Sequence, residues 1–331
     1  MPVLTLAIAQ AGYESIAGTA VPATRVIDME PGSVSLDEGA EAIIVHVAGS
    51  YATGHKAYPG ARHAAVSFKK LPWSYDDAPW WLNLFATPVT AGVGAGADKT
   101  WTQKPNDAAD DKKRATIELG GKDTWPTEFQ VSGCTGKKLA LQIRQNDVWR
   151  ADVDLLGLVV KKQAKTAALS ARSVTHVEGS GTKVYVDTTT FGTTEIVGRV
   201  VSADVTIEDG VVDRNTLDGN ATGGDLYAPA KTALVEARKV SAKVVAEFSA
   251  TTEYDDFRAA NIKKLRLVRT GAVLGGSNYR AQLDIAGAWR TFAMGDDNGL
   301  ITAELELSAL YDTGLAADWQ AVHVNGLAAL A

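Results

Sequence analysis

Alternation of apolar and polar residues constrains this chain more than any other feature. The run Ile301-Thr302-Ala303-Glu304-Leu305-Glu306-Leu307 alternates with period two, the pattern of a strand. β-type runs of the same kind recur along the chain. They are Ala42-Ile43-Ile44-Val45-His46-Val47, residues 65–68, residues 139–143, residues 153–160, residues 183–186, residues 198–207 and residues 243–248, most of them bounded by Gly or polar clusters. Only two short segments read as helix, Tyr75 to Phe85 and Glu253 to Lys263. The expectation is a mainly β protein.

The runs fall into two blocks. In each, a strand is followed by a short gap and then by Tyr-Asp-Asp opening a helix: Val66-Ser67-Phe68-Lys69 before Tyr75-Asp76-Asp77, and Val245-Ala246-Glu247-Phe248 before Tyr254-Asp255-Asp256. The parallel predicts an internal duplication, with acidic residues in each first helical turn where the helix dipole favours them. The stretch from Lys161 to Ala168 lacks a β pattern and reads as a solvated connector, so residues 1–162 and 163–331 are expected to form two β domains. At 331 residues the chain is long enough for two cores. Two long polar or Gly-rich segments, Thr90 to Arg114 and Asn215 to Ala230, read as loops that neighbours would fix, with local order suggested only for Lys99 to Thr102.

Composition narrows the function classes. Hydrophobic residues make up 46% and charged residues 22%, the balance of a packed soluble protein. The net charge of -6 argues against a grip on nucleic-acid phosphates, which needs clustered Lys and Arg. The apolar opening Leu4 to Ala9 lacks a basic leader, and no run approaches the roughly 20 apolar residues of a membrane-spanning helix, so a protein kept in a cytoplasm is expected. Cys134, the single cysteine, cannot form an internal disulfide or a thiolate zinc cage and reads as a small buried or half-buried thiol.

No set of residues converges on a reaction. The segment Gly92-Val93-Gly94-Ala95-Gly96-Ala97 lacks the preceding strand, following helix and distant acid of a dinucleotide site, and reads as a flexible loop. His46, His55 and His63 have no carboxylate at ligand spacing and read as solvated loop histidines; His55 and His63 flank Tyr58-Pro59-Gly60, which reads as a turn. His176 and His323 are isolated from any nucleophile setting. Asp76-Asp77, Asp110-Asp111 and Asp296-Asp297 read as caps or turns, because adjacent carboxylates seldom face one another across a substrate. Neighbouring Trp80 and Trp81 cannot point the same way, so at least one belongs at a contact between elements or subunits; a ligand platform is the weaker reading. No catalytic, cofactor-binding or metal-ligating residue is assigned.

The opening Gly12-Tyr13-Glu14-Ser15-Ile16-Ala17-Gly18-Thr19-Ala20-Val21-Pro22-Ala23-Thr24-Arg25 resembles the start of phage tail tube proteins. The end is similar too, in order: an Ala286-Gly287 turn, Trp289 to Met294, an Asp297-Asn298-Gly299 turn, Ile301 to Leu307, Tyr311-Asp312 and Val322-His323-Val324-Asn325. Thr100-Trp101 and Ala115 to Gly121 fit between them. The resemblance is to the major tail tube family of long-tailed phages. It implies packed antiparallel sheets with a flanking helix, a ring lined by a continuous β-barrel, stacked rings that conduct the genome, and no catalytic site. Implied partners are further copies of the chain in rings of three or six, the tape-measure, tail terminator and baseplate proteins, and double-stranded DNA that passes without specific binding; no membrane and no cofactor is involved. Rival readings are another tail component, namely a terminator, baseplate hub or contractile inner tube, and a carbohydrate-binding adhesion module for which surface tryptophans would speak.

Overall fold

The computed structural model describes residues 7–45, 54, 56–94, 96–121, 127–216, 225–248, 251–297 and 299–330. His46, Val47, His55, Ala95, residues 217–224 and Asn298 lie outside the described residues.

The protein is mainly β. Its first part holds β1 (Ala7–Tyr13), β2 (Arg25–Val26), β3 (Val34–Val45), β4 (Lys56–Pro72), α1 (Ala78–Leu82), β5 (Lys99–Gln103), β6 (Ala115–Gly121), β7 (Phe129–Arg144), β8 (Arg150–Gly157) and β9 (Val159–Lys162). The second holds β10 (Lys183–Asp187), β11 (Val200–Arg214), β12 (Lys231–Glu247), α2 (Thr252–Arg258), β13 (Ile262–Leu274), β14 (Ser277–Asp297), β15 (Leu300–Ala309) and β16 (Trp319–Asn325). Every pairing between these strands is antiparallel.

Two runs of strands have the same neighbour order. β1-β6-β7-β8-β4-β3 in the first part is matched position for position by β10-β13-β14-β15-β12-β11 in the second. A short helix follows β4 and β12, and a further strand, β9 or β16, flanks β7 or β14. Bulges match as well: β7 slips against β8 between Gly136 and Lys138, and β14 slips against β15 between Trp289 and Thr291.

The two runs are joined through backbone and core. β11 pairs with the C-terminal half of β7 from Ser202↔Arg144 to Glu208↔Lys138. β5, the ordered part of the long segment after α1, reaches across to pair with β16, so Thr90 to Arg114 is more structured than its composition predicts. There the Trp101 indole donates to Asn325 at 2.8 Å, and the Asn325 amide donates to the Tyr75 carbonyl at 2.8 Å. One buried cluster runs through both parts and includes Trp73, Trp80, Trp149, Trp289 and Trp319.

Local structure departs from the sequence reading in several places. The helices are shorter than expected, and the two Tyr-Asp-Asp triplets are not equivalent: Asp77 is the N-cap of α1, whereas Tyr254 to Asp256 lie inside α2. No acidic residue occupies the first turn of α1, because the helix begins only at Ala78, and the Asp77 carboxylate pairs with Arg25 and Arg172; α2 does carry Glu253 and Asp255 there. Pro59-Gly60 is no turn but part of β4, at a slip in its register with β3. Proline is accommodated because β8 begins to pair with β4 only at Ala64, which leaves that edge of Pro59 without a ladder to break. Beyond β9 the expected connector is tied down: Lys165 pairs with Glu128 at 2.6 Å, and Thr166 donates its backbone N–H to Glu118 at 2.7 Å.

Candidate assembly surface

The surface follows from strand order. β3, β4, β8, the second half of β7, β11, β12, β15 and the second half of β14 form one continuous eight-stranded antiparallel sheet. Period-two alternation gives this sheet two chemically distinct faces. One carries Val66, Val153, Leu139, Leu141, Val205, Ile207, Val244 and Leu305, all buried. The other, half-exposed, carries the intervening polar residues.

That polar face is laced with ion pairs between neighbouring strands. Lys69 meets Asp154 at 2.9 Å, Lys138 meets Glu208 at 2.6 Å, Arg144 meets Asp204 at 2.7 Å and Lys243 meets Glu304 at 2.7 Å. Two of these, Lys138–Glu208 and Arg144–Asp204, bridge the β7–β11 join. Lys239 at the rim is paired with Glu236. Asp37, Asp152, Glu247 and Glu306 stand on the same strands at the same alternating positions, so carboxylates outnumber cations on this face. Exposed pairs of this kind add little stability each, and their main effect is on the field the face presents.

Among the described residues both ends of the sheet lack a further paired strand. Among the described residues β3 pairs only with β4, and residues 289–297 of β14 pair only with β15. Leu36 and Val34 on β3 line an apolar recess of about 290 Å³ with Ile8, Leu119 and Phe129. On β14, Met294 is 60% exposed.

The residues singled out in the sequence lie apart from one another in the fold. Trp80 and Trp81 are both buried at contacts between elements: Trp80 stacks on Tyr13 at 5.0 Å, and Trp81 meets Phe68 edge-on at 5.3 Å. Neither forms a ligand platform. Cys134 is fully buried, and burial pushes its thiol well above the usual range. His63 is exposed on β4 beside Gly39, not in a loop; His176 lies against Asp28 at 2.9 Å. His323 is buried in β16, with neither ring nitrogen partnered, and burial lowers its pKa to about 3. Asp76 is buried and accepts the Thr175 N–H at 3.0 Å, while Asp110 pairs with Lys112 and Arg114 and Asp296-Asp297 end β14. Among the described residues no three His, Cys, Asp or Glu side chains gather as metal ligands.

Glu14, from the motif at the start of the chain, has a structural task that sequence reasoning did not assign. Its carboxylate accepts the Gly18 N–H at 2.7 Å, the Gly133 N–H at 2.7 Å and the Thr116 hydroxyl at 2.8 Å, pinning the opening turn to β6 and β7. Burial raises its pKa against the pull of these three donors.

These features define a mainly antiparallel β protein whose notable surface is an extended charged sheet face with edges that are unpaired among the described residues. A family model described as phage tail tube protein matches residues 6–309, and the chain belongs to that family, whose members are structural components of the bacteriophage tail. No curated protein matches the chain.

Proposed function

We propose that the chain is the repeating subunit of the tail tube: copies associate side by side into rings, the rings stack, and the charged sheet face lines the channel through which DNA leaves the capsid. The observation that carries this reading is the eight-stranded sheet with one buried face, one charged face and two edges that are unpaired among the described residues. Open edges normally invite uncontrolled association, and a subunit that keeps two of them has a use for them. The excess of carboxylates on the exposed face suits a conduit, since it repels phosphates and keeps the duplex from sticking.

The repeated strand order supports a tandem duplication, with residues 1–162 and 163–331 as two tail-tube-like units. Three chains then supply six quasi-equivalent units, and a wall of three times eight, or 24, strands. At a spacing of about 4.8 Å and a tilt of about 40° such a wall has a backbone radius of about 24 Å, which leaves a channel on the order of 35 Å, wide enough for a DNA duplex. Assembly takes place in the host cytoplasm, around the tape-measure protein and between baseplate and terminator.

Negative-stain electron microscopy of the purified protein over a range of concentrations tests the reading. Rings or tubes with a stain-filled channel are expected; a chain that stays monomeric even with tail-initiation components added would overturn it.

A further inference from the structure

The join inside the chain is a template for the join between chains. On β7, β6 and then β11 lie along one side, while β9 and then β8 lie along the other. On β14 the sequence is the same, β13 on one side with β16 and β15 on the other, except that no strand among the described residues pairs in the place of β11 beside residues 289–297, where α2 packs Tyr254 and Phe257 on Phe292. The strand equivalent to β11 is β3, and among the described residues the outer edge of β3 pairs with no strand. From β3 to β14 the eight strands alternate in direction, so the two edge strands run oppositely. Copies in one orientation can therefore pair β14 to β3 in antiparallel fashion around an axis, a heterologous contact that closes into a ring.

Register follows from the matching bulges. Gly136 and Trp289 precede the slips in β7 and β14, which makes Leu141 equivalent to Met294. Gly136 and Trp289 face Leu155 and Leu307, these face Val66 and Ala242, and those in turn face Leu36 and Val205. Leu36 is thus the counterpart of Val205, and inside the chain Val205 faces Leu141. We infer that β3 of one copy pairs with residues 291–296 of β14 in a second copy, with Leu36 opposite Met294, Ser35 opposite Gly295 and Asp37 opposite Ala293, on the self-assembly proposed above.

The side chains agree with this pairing. Val205 and Leu141 are buried at their join, whereas Leu36 is half-buried beside an apolar recess and Met294 is exposed; pairing the edges would cover both. The polar face differs. The internal join carries Lys138–Glu208 and Arg144–Asp204, but the corresponding positions near the intermolecular join hold Thr291 with Gly39 and Asp297 with Ser35. Backbone pairing and apolar contact would therefore hold chains together without the two cross-join ion pairs present within a chain.

Site-specific disulfide trapping tests the register. Chains carrying Leu36→Cys and chains carrying Met294→Cys are mixed under assembly conditions and oxidised, with electron microscopy in parallel; buried Cys134 does not compete. Directly opposed residues lie within disulfide reach, while partners two positions along are at or beyond its limit. Cross-linked dimer is expected in the 36 plus 294 mixture at least tenfold above either chain alone and above a 36 plus Phe292→Cys mixture. Tubes that form with no 36–294 cross-link, or with 36–36 or 294–294 products instead, overturn this join and leave the tube reading standing. Cysteine variants and native chain that all remain monomeric overturn both.

Discussion

Val205 on β11 and Leu141 on β7 face each other across the join of the two strand runs, and both are buried. The join is a piece of core crossed by a continuous backbone ladder, and the two runs should lose structure together. Leu141→Ala is expected to cost about 2–5 kcal/mol, as for other large-to-small core changes, in a single cooperative transition. Denaturant unfolding followed by tryptophan fluorescence checks this; a loss below about 1 kcal/mol, or two separate transitions, would show that the runs fold independently.

His323 gives the fold a pH signature. Its neutral ring is held without partners among core side chains, and its pKa falls from 6.5 to about 3. Below pH 6.5 the unfolded chain binds a proton that the folded chain does not, so stability declines as pH falls from 6.5 towards 3. Burial raises the pKa of Glu14, Asp76 and Asp318, which acts in the opposite sense at acid pH, so the comparison must be with a variant. Between pH 7 and pH 5 wild type should lose about 2 kcal/mol more than His323→Leu. Equal losses by chemical denaturation in the two proteins would contradict the account.

The polar face should be nearly neutral for stability and decisive for DNA. Lys138–Glu208 is a solvent-accessible pair, and Glu208→Gln is expected to cost less than about 1 kcal/mol. Replacing Asp37, Asp152 and Glu306 by Lys reverses the balance of the proposed channel wall. Assembled variant tubes should then retain duplex DNA at low salt and release it as salt rises, where wild-type tubes retain none. Co-sedimentation at several salt concentrations measures this; retention equal to wild type would mean that this face does not meet DNA.

The end of the β3–β4 hairpin carries exposed Ile43 and Ile44, at 57% and 54%. These side chains project past the part of β4 that pairs with β8, where a stacked ring could cover them. Ile43→Ser together with Ile44→Ser should leave monomer stability within about 0.5 kcal/mol, keep ring formation, and shorten or abolish tubes in electron micrographs. Tubes of unchanged length would place the stacking contact elsewhere.

What could be read from the sequence was set by period. Runs such as Leu139 to Ile143 and Ile301 to Leu307 alternate cleanly and lie in strands. β13 and much of β14 were harder to read because Lys263, Arg266 and Asp284, all at least partly buried in this sheet, break the apolar signal; Arg266 and Asp284 satisfy each other at 2.7 Å. Partnership between strands is a long-range property, and no local pattern announces that β11 lies beside β7 or that β5 crosses to β16. The Tyr-Asp-Asp parallel pointed towards a repeat, although the matching strand order rests on residues several positions away from it. The charged face was half legible: Glu304 and Glu306 alternate visibly, but which cations meet them depends on register.

Cryo-electron microscopy of assembled tubes, viewed along the axis, tests the central claim most directly. The account predicts rings of three chains whose inner wall is a closed sheet of eight strands from each chain, with Asp152, Asp154, Glu208 and Glu306 facing the channel. Rings of six chains, or a channel wall built from any other surface of the molecule, would contradict it.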